Sequence, residues 1–122
     1  MPSKKIDFDV VRKMALALPH VEQGTIHGVL SLKVRGKLLC CPAIHASAEP
    51  GTLAVRIDPA DRTKLIEANP GAYYVTDHYL SHPMILVRLS RVGRKSLKDL
   101  LGAAWTFSAG SKTSGSPARK RG

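Results

Sequence analysis

Long apolar runs are missing from this 122-residue chain. The longest, around Leu38 to Ile44, suits a buried strand and falls well short of the roughly 20 residues that cross a bilayer. The charged start MPSKKIDFD has no apolar segment behind it of the kind that directs secretion. The chain is therefore expected to be cytoplasmic, with no membrane partner. Cysteine is down to two, Cys40 and Cys41, and they are neighbours. Adjacent strand residues point to opposite faces, so the pair is badly placed to form a bridge or to share a metal. A small buried hydrophobe (Cys40) and an ordinary thiol (Cys41) fit a reducing compartment. Aromatics are scarce too: three Tyr, two Phe and one Trp leave little for a base-stacking platform on single-stranded nucleic acid.

Catalytic signatures are also absent. The chain has no Walker loop, no GxGxxG and no GxSxG. Acids are few, and Asp7, Asp58 and Asp99 have capping or surface roles. Cys41 with His45 is the best nucleophile–base pair, but nothing nearby would orient the base. His78 and His82 stand four apart, yet Pro83 follows at once and no Glu completes HExxH. The expectation is a protein that is not an enzyme, with no metal and no cofactor.

Cations are abundant. Nineteen Lys and Arg against nine Asp and Glu give a net charge of +10. Lys112, Arg119, Lys120 and Arg121 lie beyond Gly110, in a Gly/Ser-rich stretch expected to be a disordered basic tail over residues 110–122. Residues 1–109 still hold fifteen bases against nine acids and read as one domain. A basic balance favours acidic partners, nucleic acid among them.

Periodicity gives the order of elements. DFDVVRKMALAL is a helix capped by Asp7 and stopped by Pro19, with a loop leading to a strand at Thr25 to Val29. Leu30 to Val34 and Leu38 to Ala43 form a hairpin through a three-residue connection, Arg35-Gly36-Lys37. Thr52 to Ile57 is the next strand. Asp58-Pro59 starts a helix that Asn69-Pro70-Gly71 ends. Ala72 to Thr76 and Met84 to Leu89 are strands joined by a connection, DHYLSHP. Leu97, Leu100, Leu101, Ala104 and Trp105 mark the buried stripe of a last helix, Arg94 to Phe107. The expected fold is α+β: a two-layer α/β sandwich, one antiparallel sheet with helices on one face, in the order α-β(3-4)-α-β(2)-α, with the other face wet.

The segments ALPHVEQGTIHG, LKVRGKLLC, LAVRIDPADRTKLIEANPGAYYV and HPMILVRL resemble the MmcQ/YjbR family of small bacterial proteins over roughly residues 6 to 107. The resemblance implies a compact α/β domain similar in shape to frataxin and to type III secretion chaperones. It also implies DNA binding through wing-like elements. Family members often carry Trp after a Lys where this chain has His82-Pro83-Met84, and often Phe where it has Ile26-His27, so no aromatic role carries over.

Strand alternation then places the charges. With Leu32 and Val34 turned to the helices, Ser31, Lys33 and Arg35 point away. Leu53, Val55 and Ile57 inward put Arg56 outward, and Ile85, Val87 and Leu89 inward put Arg88 outward with Met84 and Leu86. Lys37 extends this basic face from the hairpin, and Arg91, Arg94 and Lys95 from the turn after the last strand. These eight cations are the predicted nucleic-acid-binding residues, acting through phosphates and hence with little sequence preference. Reversing Arg56 and Arg88 is expected to leave stability nearly unchanged. The leading reading is thus a monomeric or weakly associating nucleic-acid-binding module. The rival is a protein-interaction module of the secretion-chaperone-like type, binding a partner polypeptide along the open face or edge with apolar contact from Met84 and Leu86. A small-molecule pocket between sheet and helices is a third.

Overall fold

The computed structural model describes residues 6–26, 28–43 and 45–109. The tail lies outside the described residues. Helix α1, Phe8–Leu16, starts where predicted, with Asp7 Oδ1 accepting from the Val10 N–H at 3.0 Å. Strand β1, Val21–Ile26, pairs along its whole length with β2, Val29–Val34. The predicted loop VEQG is therefore strand. Its polar residues have low strand propensity, and the ladder to β2 overrides it. As β1 is the sheet's outer strand, that polarity also guards the edge.

The β2–β3 hairpin is tighter than predicted. Val34 pairs with Lys37, so the turn holds only Arg35 and Gly36, at φ 53° and 83°. Both residues are left-handed, as a two-residue type I′ turn requires. In β3, Lys37–Pro42, the register then slips between Leu32 and Lys33, whose partners are Cys40 and Leu38. Leu39 is the extra residue of a bulge. In consequence Leu39 and Cys40 both join the helix-side core, while Leu38 moves to the other face.

Strands β4 (Thr52–Arg56), β6 (Met84–Arg88) and the two-residue β5 (Tyr73–Tyr74) complete a sheet of order β1-β2-β3-β4-β6-β5, antiparallel at every pairing. Helix α2, Pro59–Ala68, is capped by Asp58 Oδ1 on the Ala60 N–H at 2.9 Å. The connection DHYLSHP contains a one-turn helix, α3, Asp77–Leu80. Helix α4, Arg94–Ala109, buries Leu97, Leu100, Leu101 and Ala104 against the sheet as its spacing demands. Trp105 is half-buried, and its Nε1 donates to the Pro19 carbonyl at 2.8 Å, tying α4 to the end of α1.

Parity holds on the helix side: Leu32, Leu53, Val55, Ile57, Ile85, Val87 and Leu89 share one core. The opposite face is not left wet. Ala54, Met84 and Leu86 are buried there under Tyr79 of α3, with Leu38, Cys41, Ala48 and Tyr74 packed around them. Ser31, expected to face solvent, is fully buried.

Candidate functional site

Arg56 and Arg88 do alternate with Ala54 and Leu86 onto the open face. They stand, however, at opposite ends of one ladder, where Arg56 pairs with Met84 and Arg88 with Thr52. Four residues of strand separate those ends by about 13 Å. The predicted patch is accordingly two groups. Lys33, Arg35 and Lys37 sit at the hairpin end with Arg56, and Arg91, Arg94 and Lys95 lie beyond Arg88 at the other. Arg35, Lys37, Arg91 and Arg94 are exposed; Lys33 is half-buried and faces Glu22 across the β1–β2 ladder. Lys95 pairs with Asp99 at 3.1 Å on the surface of α4.

Arg88 is committed to the fold. Its Nε and Nη2 donate to the two carboxylate oxygens of Glu49 at 2.9 and 2.8 Å, and Nη1 reaches the carbonyls of Pro70 and Gly71, each at 3.2 Å. The guanidinium also lies 4.2 Å over the Tyr74 ring. This forked pairing holds the Glu49 carboxyl below its ordinary value and the Arg88 guanidinium above its own. Tyr74 Oη in turn accepts from the Glu49 N–H and bonds Thr52 Oγ1, both at 2.8 Å, which pins the β3–β4 loop over the sheet. The expectation that Arg88 can be reversed at little cost is therefore overturned: its charge is spent on a loop 39 residues away in sequence.

Between α3, that loop and the strands lies a concave pocket of about 680 Å³. It opens on the face of the sheet away from the long helices, not between sheet and helices. Leu38, Cys41, Ala54 and Met84 form its floor, and Arg56 and Pro83 line one side. His45, His78 and His82 line the rest with Tyr79. The Arg56 guanidinium lies 5.1 Å over the Phe107 ring of α4 and has no carboxylate partner among the described residues.

Burial raises the Cys41 thiol above its ordinary value and pushes Cys40 up to about 12. A thiol raised by burial is a weak nucleophile at neutral pH, which counts against the Cys41–His45 pair. The His45 and His78 rings stack at 3.5 Å between centroids, 8° from parallel. Lone pairs in parallel planes do not converge on a metal ion. His45 Nδ1 accepts from the Ser47 N–H at 3.0 Å, so the neutral ring carries its proton on Nε2.

Partial desolvation, then His45 and His82, hold His78 below the ordinary histidine value. Because the folded value is depressed, the contribution of His78 to stability is whole above the unfolded value of about 6.5 and is lost as pH falls through it towards the folded value. The drop in urea midpoint between pH 7.5 and 5.5 should thus be smaller in His78→Gln than in the parent. An equal or larger drop contradicts the depressed value.

Sequence reasoning missed the His45–His78 stack and the Glu49–Arg88 clamp because each joins residues more than thirty apart. It also missed Arg62, whose signal was a lone Arg beside Leu65 and Ile66 on a short helix. Arg62 is only 9% exposed and donates to the carbonyls of His82 (2.8 Å), Met84 (3.0 Å) and Leu80 (3.4 Å). It fastens the segment that forms the pocket's far wall.

Uncharacterised proteins of Mycobacterium tuberculosis and Mycobacterium bovis are 34% identical to this chain over 68 residues, 52% of it and 53% of theirs. The chain thus spans about half the length of these curated relatives. The crystal structure of Deinococcus radiodurans protein DR2400, a DUF419 domain, superposes with a TM-score of 0.69 over 92% of this chain and 87% of that one, at 21% identity, and so shares the fold. The YjbR family model matches residues 16–107, from the end of α1 through α4, and on that match the chain belongs to the YjbR family.

Proposed function

We propose that the chain binds nucleic acid without catalysis, through phosphate contacts made by the β2–β3 hairpin. One observation carries this reading. Arg35 sits at φ 53° in a turn position that Asn, Asp or Gly fills at little cost. A left-handed Arg costs on the order of 1 kcal/mol. Among the described residues its exposed guanidinium has no hydrogen bond or ion pair that would offset this. A charge held at a cost on a rigid tip, with Lys33 and Lys37 beside it, suits contact with a polyanion. A two-stranded ribbon also has the width to enter the major groove of duplex DNA. Phosphate contacts of this sort position the protein and carry no sequence information.

The alternative, a polypeptide laid along the open face, needs a strand-length channel. Leu86, which that reading uses, is fully buried there against α3 and the β3–β4 loop.

Arg35→Asn tests the reading with two opposed readouts. The melting temperature should rise, since the strain is relieved by about 0.5–1 kcal/mol. Affinity for a generic duplex, measured by fluorescence anisotropy at low salt, should fall several-fold. A more stable variant with undiminished affinity would show that the hairpin tip is not the contact.

A further inference from the structure

The pocket on the open sheet face is not used by the hairpin reading, and its chemistry is different. Its volume, about 680 Å³, lies within the range of sites that hold small organic ligands, roughly 300–1,000 Å³. Of the twelve residues lining it none is Asp or Glu. Among the described residues lining it Arg56 alone carries a permanent charge, and the Phe107 ring props it without neutralising it. The floor beside it is apolar: Leu38, Ala54 and Met84. Across the floor, the stacked His45 and His78 rings form a flat aromatic wall, with Tyr79 set edge-on at 6.2 and 4.9 Å.

From this arrangement we infer that the pocket binds a small organic anion with a flat apolar body, a carboxylate or sulfonate on an aromatic frame. The anionic group pairs with Arg56, a fork suited to two-oxygen acceptors. The ring lies on the apolar floor against the imidazole wall. Charge complementarity selects this occupant. The chain's own tail, with four bases and no acid, is repelled by Arg56, and a neutral apolar ligand leaves that guanidinium without a partner.

The test uses two fluorescent probes of nearly the same frame: 1-anilinonaphthalene-8-sulfonate and uncharged N-phenyl-1-naphthylamine. The full chain at pH 7.5 should bind the sulfonate one to one, with amide shift changes confined to the strands and α3 around the pocket. Arg56→Gln should weaken the sulfonate at least fivefold and leave the uncharged probe within twofold. Ala54→Leu, which fills the floor, should weaken both; Leu38→Trp fills the same floor from β3 should the first variant fail to fold. Equal binding of the sulfonate by Arg56→Gln, shifts centred on the helix face, or displacement by an acidic peptide but by no small aromatic acid would each overturn the inference. Arg35→Asn should leave the sulfonate untouched, so failure here and failure of the hairpin reading are told apart.

Discussion

Arg62→Met should destabilise the fold by about 2–4 kcal/mol, seen as a lowered urea midpoint with an unchanged slope. The substitution keeps most of the aliphatic bulk in a site only 9% exposed, so little cavity opens. What goes is a guanidinium that serves the carbonyls of Leu80, His82 and Met84 at once. Hydrogen bonds from a charged donor contribute about 1.5–3 kcal/mol each, and a buried carbonyl left bare adds a desolvation cost. The His82 carbonyl keeps a second donor, the Met84 N–H at 2.8 Å, which limits the total. Arg62→Lys should not restore stability, because a single ammonium on a flexible stem cannot span three acceptors as a planar fork does. A loss below about 0.5 kcal/mol would mean that α3 and the start of β6 are held by packing alone.

Duplex binding should weaken by more than an order of magnitude between 50 and 200 mM salt. Each phosphate neutralised on duplex DNA steepens the slope of log affinity against log salt by about 0.9. Two contacts, from Lys33 and Arg35, give a slope of about −1.8 and a loss of roughly 12-fold over that fourfold rise in salt. The eight cations predicted from sequence would give a slope near −7 if all took part. Arg88 is already neutralised by Glu49 at 2.8 Å, and Lys95 has Asp99 at 3.1 Å. Arg91 and Arg94 lie past the far end of the β4–β6 ladder from the hairpin. Anisotropy titrations with one labelled duplex at four salt concentrations separate the two cases.

How much of this was legible beforehand depended on whether a signal was local. Asp58-Pro59 and Asn69-Pro70-Gly71 fix the ends of α2 by cap and breaker chemistry that needs no partner. The stripe Leu97, Leu100, Leu101 and Ala104 declares the buried side of α4. Parity correctly turned Leu53 and Val55 to the helices and Ala54 away. It gave no warning of the bulge at Leu39, because four apolar residues in a row, Leu38 to Cys41, carry no alternation, although Cys40 and Cys41 do point to opposite faces. The loop reading failed at Val21-Glu22-Gln23-Gly24, which is strand because β2 lies beside it.

The open face was assigned the right side chains and the wrong surroundings. Parity says which way Arg56 and Arg88 point but not what folds over them. The one-turn α3 and the β3–β4 loop, each too short to leave a periodic signal, turn a supposedly wet surface into a pocket and a clamp. Arg56 consequently belongs to the pocket and Arg88 to the clamp, which leaves the hairpin as the polyanion contact in the proposed function.

That division of labour is most directly exposed by one comparison: the salt slope of duplex binding for the parent chain and for Lys33→Gln/Arg35→Asn. The parent's slope should be steeper than the variant's by about 1.8, the share of the two cations removed. Matching slopes in the two proteins, or a parent slope near zero, would contradict a hairpin-borne contact.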